Sequence, residues 1–294
     1  MGYTLIKGEF HIYYPDLPRQ GPEPDGDTLK FLPDDPTLVE DLQGWADFNG
    51  RHMINTRFEG LDALETHFSG MHQNMEWAEN ARDRVLQRTG FGEIRFWADL
   101  PAKVHSVQYH PKRGYVLARS CDGHGRIISF VYPGETNRSD GSDVFLDANL
   151  LNQSLNAKLL SAGLAYPLFY TTLPVDLQRR LMNLAIVSWN NQRGLWPFDT
   201  ANAAYWQNIA NVQTLQTLVL WPKLFRRLAK YFAAGHSGLG GFDAWLREDP
   251  RDRDDRILLP TGEVGNMHDV LETDGNWIHM NYWPEEIVIL PDDA

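Results

Sequence analysis

The sequence predicts a mixed α+β chain: a small closed β-barrel carrying helices over residues 1–200, followed by an α/β appendage over residues 201–294. Three observations predict it. Short runs rich in β-branched and aromatic residues recur through the first half, separated by Gly, Pro and Asp clusters. Apolar residues at helical spacing follow from Leu151. The composition then changes near residue 200, where a basic, apolar stretch leads into a Gly-rich break.

The expected strands are Thr4–Tyr14, Asp27–Leu32, His52–Phe58, Tyr115–Ser120 and Arg126–Tyr132. The segment CDGHGR between the last two reads as a hairpin turn, with Gly123 and Gly125 able to take positive φ. Five short strands with few helices suit a closed barrel of the OB type. Asn74–Arg88 reads as a helix. Leu151–Ala162 puts Leu151, Leu155, Leu159 and Ala162 on one face before Gly163 stops it. Pro174–Asn190 opens on proline and sets Leu177, Leu181, Leu184 and Ala185 at helical spacing. Ala201–Ala234 reads as helical and includes WPKLFRRLAKY. GHSGLGG is a flexible break, Glu248–Arg256 a solvated mixed-charge run, and Ile257–Pro291 a return to short strands.

The chain is long enough, at 294 residues, for a sizeable core in one large domain or a domain with an appendage. A net charge of −12 argues against holding nucleic acid by bulk electrostatics, so any positive potential must be concentrated at a site. The one cysteine, Cys121, allows no internal disulfide. No signal peptide is visible and no apolar run is long enough to span a bilayer, which leads to the expectation of a cytoplasmic protein with no membrane partner.

Three segments carry the candidate chemistry. PDGDTLKF holds Asp25 and Asp27, which would converge on one side of a strand. INTRFEGLDALETHF holds Arg57, Asp62 and Glu65, and DGHGRIISFVY holds Arg126 just after a turn. Phosphodiester hydrolysis needs a hard cation on oxygen ligands, a base to activate water, and planar cationic forks on the phosphate. Asp27 and Asp62 suit the ion, Glu65 the base, and Arg57 and Arg126 the clamp.

In their order, DGDT (residues 25–28), RFEGLDALE (57–65) and HGR (124–126) resemble the thermonucleases, the staphylococcal-nuclease-like family. NAKLLSAGLAY (156–166) and NNQRGLW (190–196) are similar to later signatures of that family, so the resemblance spans roughly residues 5–198 in matching order. It implies an OB-type barrel and a calcium-dependent endonuclease acting on DNA and RNA with little sequence preference, leaving 3′-phosphate ends. It further implies Asp27, Asp62 and the carbonyl of Ala63 as Ca2+ ligands, Glu65 as general base, and Arg57 and Arg126 as phosphate-binding residues. Leu64 stands where the family has proline, and His124 where it has an aromatic residue, which changes one possible phosphate contact. Residues 33–50 and 69–110 read as insertions.

Other residues admit two readings each. Asp25 supports the ligands from behind or belongs only to a turn. Tyr170 stacks on a base or bonds a phosphate, or else packs in a sheet. His67 and His72 read as loop histidines, and His268, Asp269 and His279 fit no zinc spacing and read as structural. Two alternatives to the enzyme are a nucleic-acid- or protein-binding module of the same fold, and a nuclease effector gated by residues 201–294 through a protein partner. Residues 1–200 are expected to fold and cut without the remainder.

Overall fold

Alternating apolar residues in strand β1 (Tyr3–His11) seed a barrel. On one side β1 pairs with β2 (Lys30–Pro33), and on the other with β4 (Lys112–Cys121), both antiparallel. Strand β3 (Ile54–Phe58) pairs antiparallel with β2 and parallel with β5 (Ile127–Pro133), which returns antiparallel to β4. The ring β1–β2–β3–β5–β4–β1 is closed, and its order fits an OB-type barrel. The computed structural model describes residues 2–200 and 206–291; among these the fold is mixed α+β, with eight α-helices beside the barrel.

The chain divides into two compact units, Met1–Glu59 with Glu79–Leu159, and Gly60–Ala78 with Leu160–Ala294. The division therefore does not fall at residue 200. The expected helical stretch begins at residues 201–205, which lie outside the described residues. Beyond them it is a two-residue strand, Gln207–Asn208, and two helices, Val212–Thr217 and Pro222–Ala233.

In the first unit the barrel core is built from rings set against small residues. Phe10 lies opposite Phe31 across the β1–β2 ladder, their centroids 5.1 Å apart, and both are fully buried. Each such burial stabilises the fold by about 1.5–3 kcal/mol. Gly114 makes room for this pair: a Cβ there would stand 2.4 Å from the Phe10 ring. Asn156, fully buried, accepts the Val131 N–H (3.0 Å) and donates to the carbonyls of Glu59 (2.9 Å) and Ser129 (3.0 Å), so it ties a helix to the residue after β3 and to the middle of β5.

Two local expectations change. The strand expected over Asp27–Leu32 begins only at Lys30, because the Asp25 carboxylate accepts the Gly26 N–H (2.7 Å) and the chain bends there. The helix expected over Leu151–Ala162 is two helices, Ala148–Gln153 and Leu155–Ala162, broken at Ser154. The Ser154 hydroxyl donates to the Leu151 carbonyl (2.6 Å) and accepts the Ala157 N–H (3.1 Å), which ends one helix and caps the next.

In the second unit the strand Leu61–Asp62 pairs antiparallel with Tyr166–Pro167. Phe169–Tyr170 runs parallel to Val288–Ile289, which pairs on its other side with Arg256–Leu258. Residues from both sides of position 200 therefore share one sheet. Gln73 ties further parts of this unit: its side chain accepts the Glu65 N–H (3.1 Å) and donates to the Leu220 carbonyl (2.8 Å).

Candidate functional site

In the barrel unit the candidate residues gather at one face of neighbouring strands. Arg57 lies opposite Ile128 in the parallel β3–β5 register, two positions past Arg126. Pleating turns Thr56, Phe58, Ile127 and Ser129 into the core and leaves Arg57, Arg126 and Ile128 on the outer side. Asp27 is buried; its Oδ2 accepts Arg57 Nη1 (2.7 Å) and its Oδ1 accepts the Thr28 hydroxyl (3.0 Å). Asp25 and Asp27 thus bond to different partners from a bend, in place of the shared strand face expected.

Arg126 has a partner that sequence reasoning missed. The Asp122 carboxylate accepts Arg126 Nε (2.8 Å) and pairs with its Nη2 (2.7 Å), while also accepting the N–H groups of His124 and Arg126 (3.0 Å each). Burial alone would raise the Asp122 pKa, but the charge and hydrogen bonds of Arg126 outweigh it and hold the carboxyl below its ordinary value. Gly125 makes this turn possible with φ +73°, and a Cβ there would meet the Asp47 Cβ at 2.5 Å. The five-residue spacing D-x-x-x-R across a turn was the available signal.

In the second unit Asp62 is fully buried, and a residue not singled out from the sequence reaches it. Arg226, on the helix Pro222–Ala233, donates Nη1 to Asp62 Oδ1 (3.1 Å), Nη2 to Asp62 Oδ2 (2.8 Å) and Nη1 to Glu65 Oε1 (2.6 Å). This is a bidentate fork on one carboxylate shared with a second. Burial would lower the Arg226 pKa; Asp62 and Glu65 together raise it well above the ordinary guanidinium value. A signal existed: Arg226 stands between Pro222 and Ala229 at helical spacing, and both are buried, so it faces inward.

The same helix is held by a second ion cluster. Lys223 Nζ and Arg227 Nη2 each lie 2.7 Å from the Asp255 carboxylate. Burial would raise the Asp255 pKa, and the two cations hold it below the ordinary value. The run Glu248–Arg256 is therefore not simply solvated as expected: Asp254 is buried and pairs with His268, and Asp255 is partly buried in its cluster. Ala63 is buried beside Asp62. Tyr170 sits in its two-residue strand with Lys223 Nζ 5.7 Å from the ring centroid, while His124 is exposed in the β4–β5 turn.

As arranged, the acidic residues do not fit a divalent ion. Both Asp62 oxygens and one Glu65 oxygen are bonded to Arg226, and both Asp27 oxygens to Arg57 and Thr28. Among the described residues no group of three or more His, Cys, Asp or Glu side chains is placed to hold a metal, and no helix is long and apolar enough to cross a membrane. No family model matches the chain, and no curated protein matches it.

Proposed function

We propose that the chain is a thermonuclease-like phosphodiesterase that hydrolyses DNA or RNA and depends on calcium. The observation that carries this reading is the pair of arginines on one outer face of neighbouring barrel strands, each held in orientation by a buried or half-buried carboxylate. A fork fixed in this way is ready to meet two phosphate oxygens and loses little freedom on doing so. Arg57 and Arg126 neutralise the charge that grows on the phosphorus oxygens; the family resemblance implies Glu65 as the base for the attacking water. A net charge of −12 confines attraction for the substrate to such local positive groups. As they stand, the Asp27, Asp62 and Glu65 carboxylates are engaged by arginines.

The test is cleavage of single-stranded DNA, duplex DNA and RNA by the full chain, with calcium and with excess chelator. Glu65→Gln should cut turnover by about 10²- to 10⁴-fold. Undiminished cleavage in chelator would reject the calcium dependence, and undiminished turnover in Glu65→Gln would remove Glu65 from the chemistry. One observation favours a second reading, a nucleic-acid-binding module: Arg226 already engages oxygens of both Asp62 and Glu65. Tight binding of single-stranded DNA with no cleavage under any condition would select that module.

A further inference from the structure

We propose that Trp45 is a stacking platform for an unpaired base beside the Arg126 fork, so that this face of the barrel takes a single strand of nucleic acid. The inference deepens the nuclease reading and rests on it for the phosphate contact.

The segment QGWADFNG (residues 43–50) lies in a stretch that reads from the sequence as an insertion. Its tryptophan is 55% exposed, although a ring of this size ordinarily gains by burial. Main-chain bonds clamp the segment on both sides of that ring. Before it, the Gln43 N–H donates to the Arg119 carbonyl (3.3 Å), and the Gln43 carbonyl accepts the Cys121 N–H (2.8 Å). After it, the Asp47 N–H donates to the Gly125 carbonyl (2.9 Å). Gly44 permits the first clamp with φ +94°, since a Cβ there would stand 2.8 Å from the Cys121 carbonyl oxygen. An exposed ring held between two clamps is already ordered, so a ligand that stacks on it spends little on fixing it.

The ring is held at the turn that carries the fork. A Cβ on Gly125 would lie 2.9 Å from Trp45 Cζ3, so the ring edge packs against the residue before Arg126. The Arg126 side chain is oriented by Asp122 and remains 29% exposed, and His124 is exposed on the same turn. Asp47 is the one charged residue of the segment, and it interacts with Lys30. An aromatic ring and a planar cation thus stand side by side, as a base and its phosphate do across one sugar. Stacking accepts any base, because every base has a π face, but bases inside a duplex are already stacked on their neighbours. An apolar protein surface laid on Trp45 would instead have to desolvate the Arg126–Asp122 pair.

Fluorescence anisotropy tests this with the full chain in excess chelator, which on the nuclease reading leaves the probe uncut. The probes are a labelled oligothymidylate and an abasic oligomer of the same length and charge, at one salt concentration. The wild type should prefer the oligothymidylate. Trp45→Ala should bind it about 5- to 100-fold more weakly and treat the two probes alike. Trp45→Tyr should keep the preference, and Trp45→Leu, which has bulk but no π face, should lose it; the leucine variant carries the test if the alanine variant does not fold. A folded Trp45→Leu protein with the wild-type preference overturns the proposal. So does a variant whose only change, on sedimentation, is weaker self-association, which would assign the ring to a second copy of the chain. Cleavage of single-stranded DNA with calcium separates the two readings. A base preference that depends on Trp45, without cleavage, keeps the platform and rejects the nuclease. Cleavage by Trp45→Ala at the wild-type kcat/KM keeps the nuclease and rejects the platform. A wild type that neither binds nor cuts overturns both.

Discussion

Glu59 and Asp62 stand three positions apart in the chain and are both buried, yet their units treat them in opposite ways. In the barrel unit, burial pushes Glu59 up to about 7, while Arg119, at 3.7 Å, and Tyr3 only partly pull it back. In the second unit, Asp62 receives a full guanidinium fork at 2.8 and 3.1 Å. A loosely placed cation leaves a buried acid able to take up a proton near neutral pH, whereas a fork fixes its charge. The partner distance matters as well. Arg119 lies within the barrel, but Arg226 comes from 164 residues along the chain.

The largest expected effect comes from removing one side of this comparison. Truncation after residue 200 deletes Arg226, the Leu220 carbonyl that holds Gln73, and the strand beside Phe169–Tyr170. It leaves Arg119 and Tyr3 beside Glu59. Hydrogen exchange on the fragment should find amides of β1, β3, β4 and β5 protected, and those of residues 60–78 and 160–190 exchanging freely. Protection across both regions would break the comparison and restore a boundary at residue 200.

Next in size is Arg126→Lys. Arg126 is fixed locally by Asp122, whereas Arg226 is fixed by distant groups, so the substitution probes a fork without disturbing the second unit. Lysine keeps the charge but cannot make both contacts with Asp122 or bridge two phosphate oxygens. On the nuclease reading kcat should fall by about 10²- to 10³-fold, with KM changed little. An unchanged kcat would leave Arg126 as a turn-stabilising residue only.

The smallest effect is a dependence of stability on pH. Because the folded Glu59 carboxyl is raised from its ordinary 4.5 to about 7, the stability it contributes is fully present below 4.5 and is lost as pH rises through about 7. Relative to Glu59→Gln, the wild type should lose on the order of 3 kcal/mol across that interval. Urea unfolding of both proteins at either end measures it. Parallel curves would show that Arg119 holds Glu59 charged, and the contrast between the units would vanish.

The sequence made the barrel legible because period-two patterning and turn chemistry are local. Strands near Thr4–Tyr14, His52–Phe58, Tyr115–Ser120 and Arg126–Tyr132 appear within a few residues of their expected bounds, and Gly125 takes the positive φ that its turn needs. The Asp25 bend and the Ser154 break were hidden because a side chain bonding its own backbone competes with propensity without altering the hydrophobic pattern. Arg57 and Arg126 were named, but the fork on Asp62 was not, since nothing near Asp62 in the sequence encodes a cation on a remote helix. Asp255 was likewise read as solvated within a charged run, although Lys223 and Arg227 enclose it.

The strand Val288–Ile289 lies between Phe169–Tyr170 and Arg256–Leu258, so the last-made strand of this sheet is an inner one. During synthesis the barrel strands have all emerged long before it, and they can pair while the chain is still growing. Phe169–Tyr170 must wait with an open edge until residue 289 is available, and such edges invite pairing with other chains. Expression yield should therefore be limited by the nascent second unit, and a chaperone that shields exposed strands would act on this interval of translation.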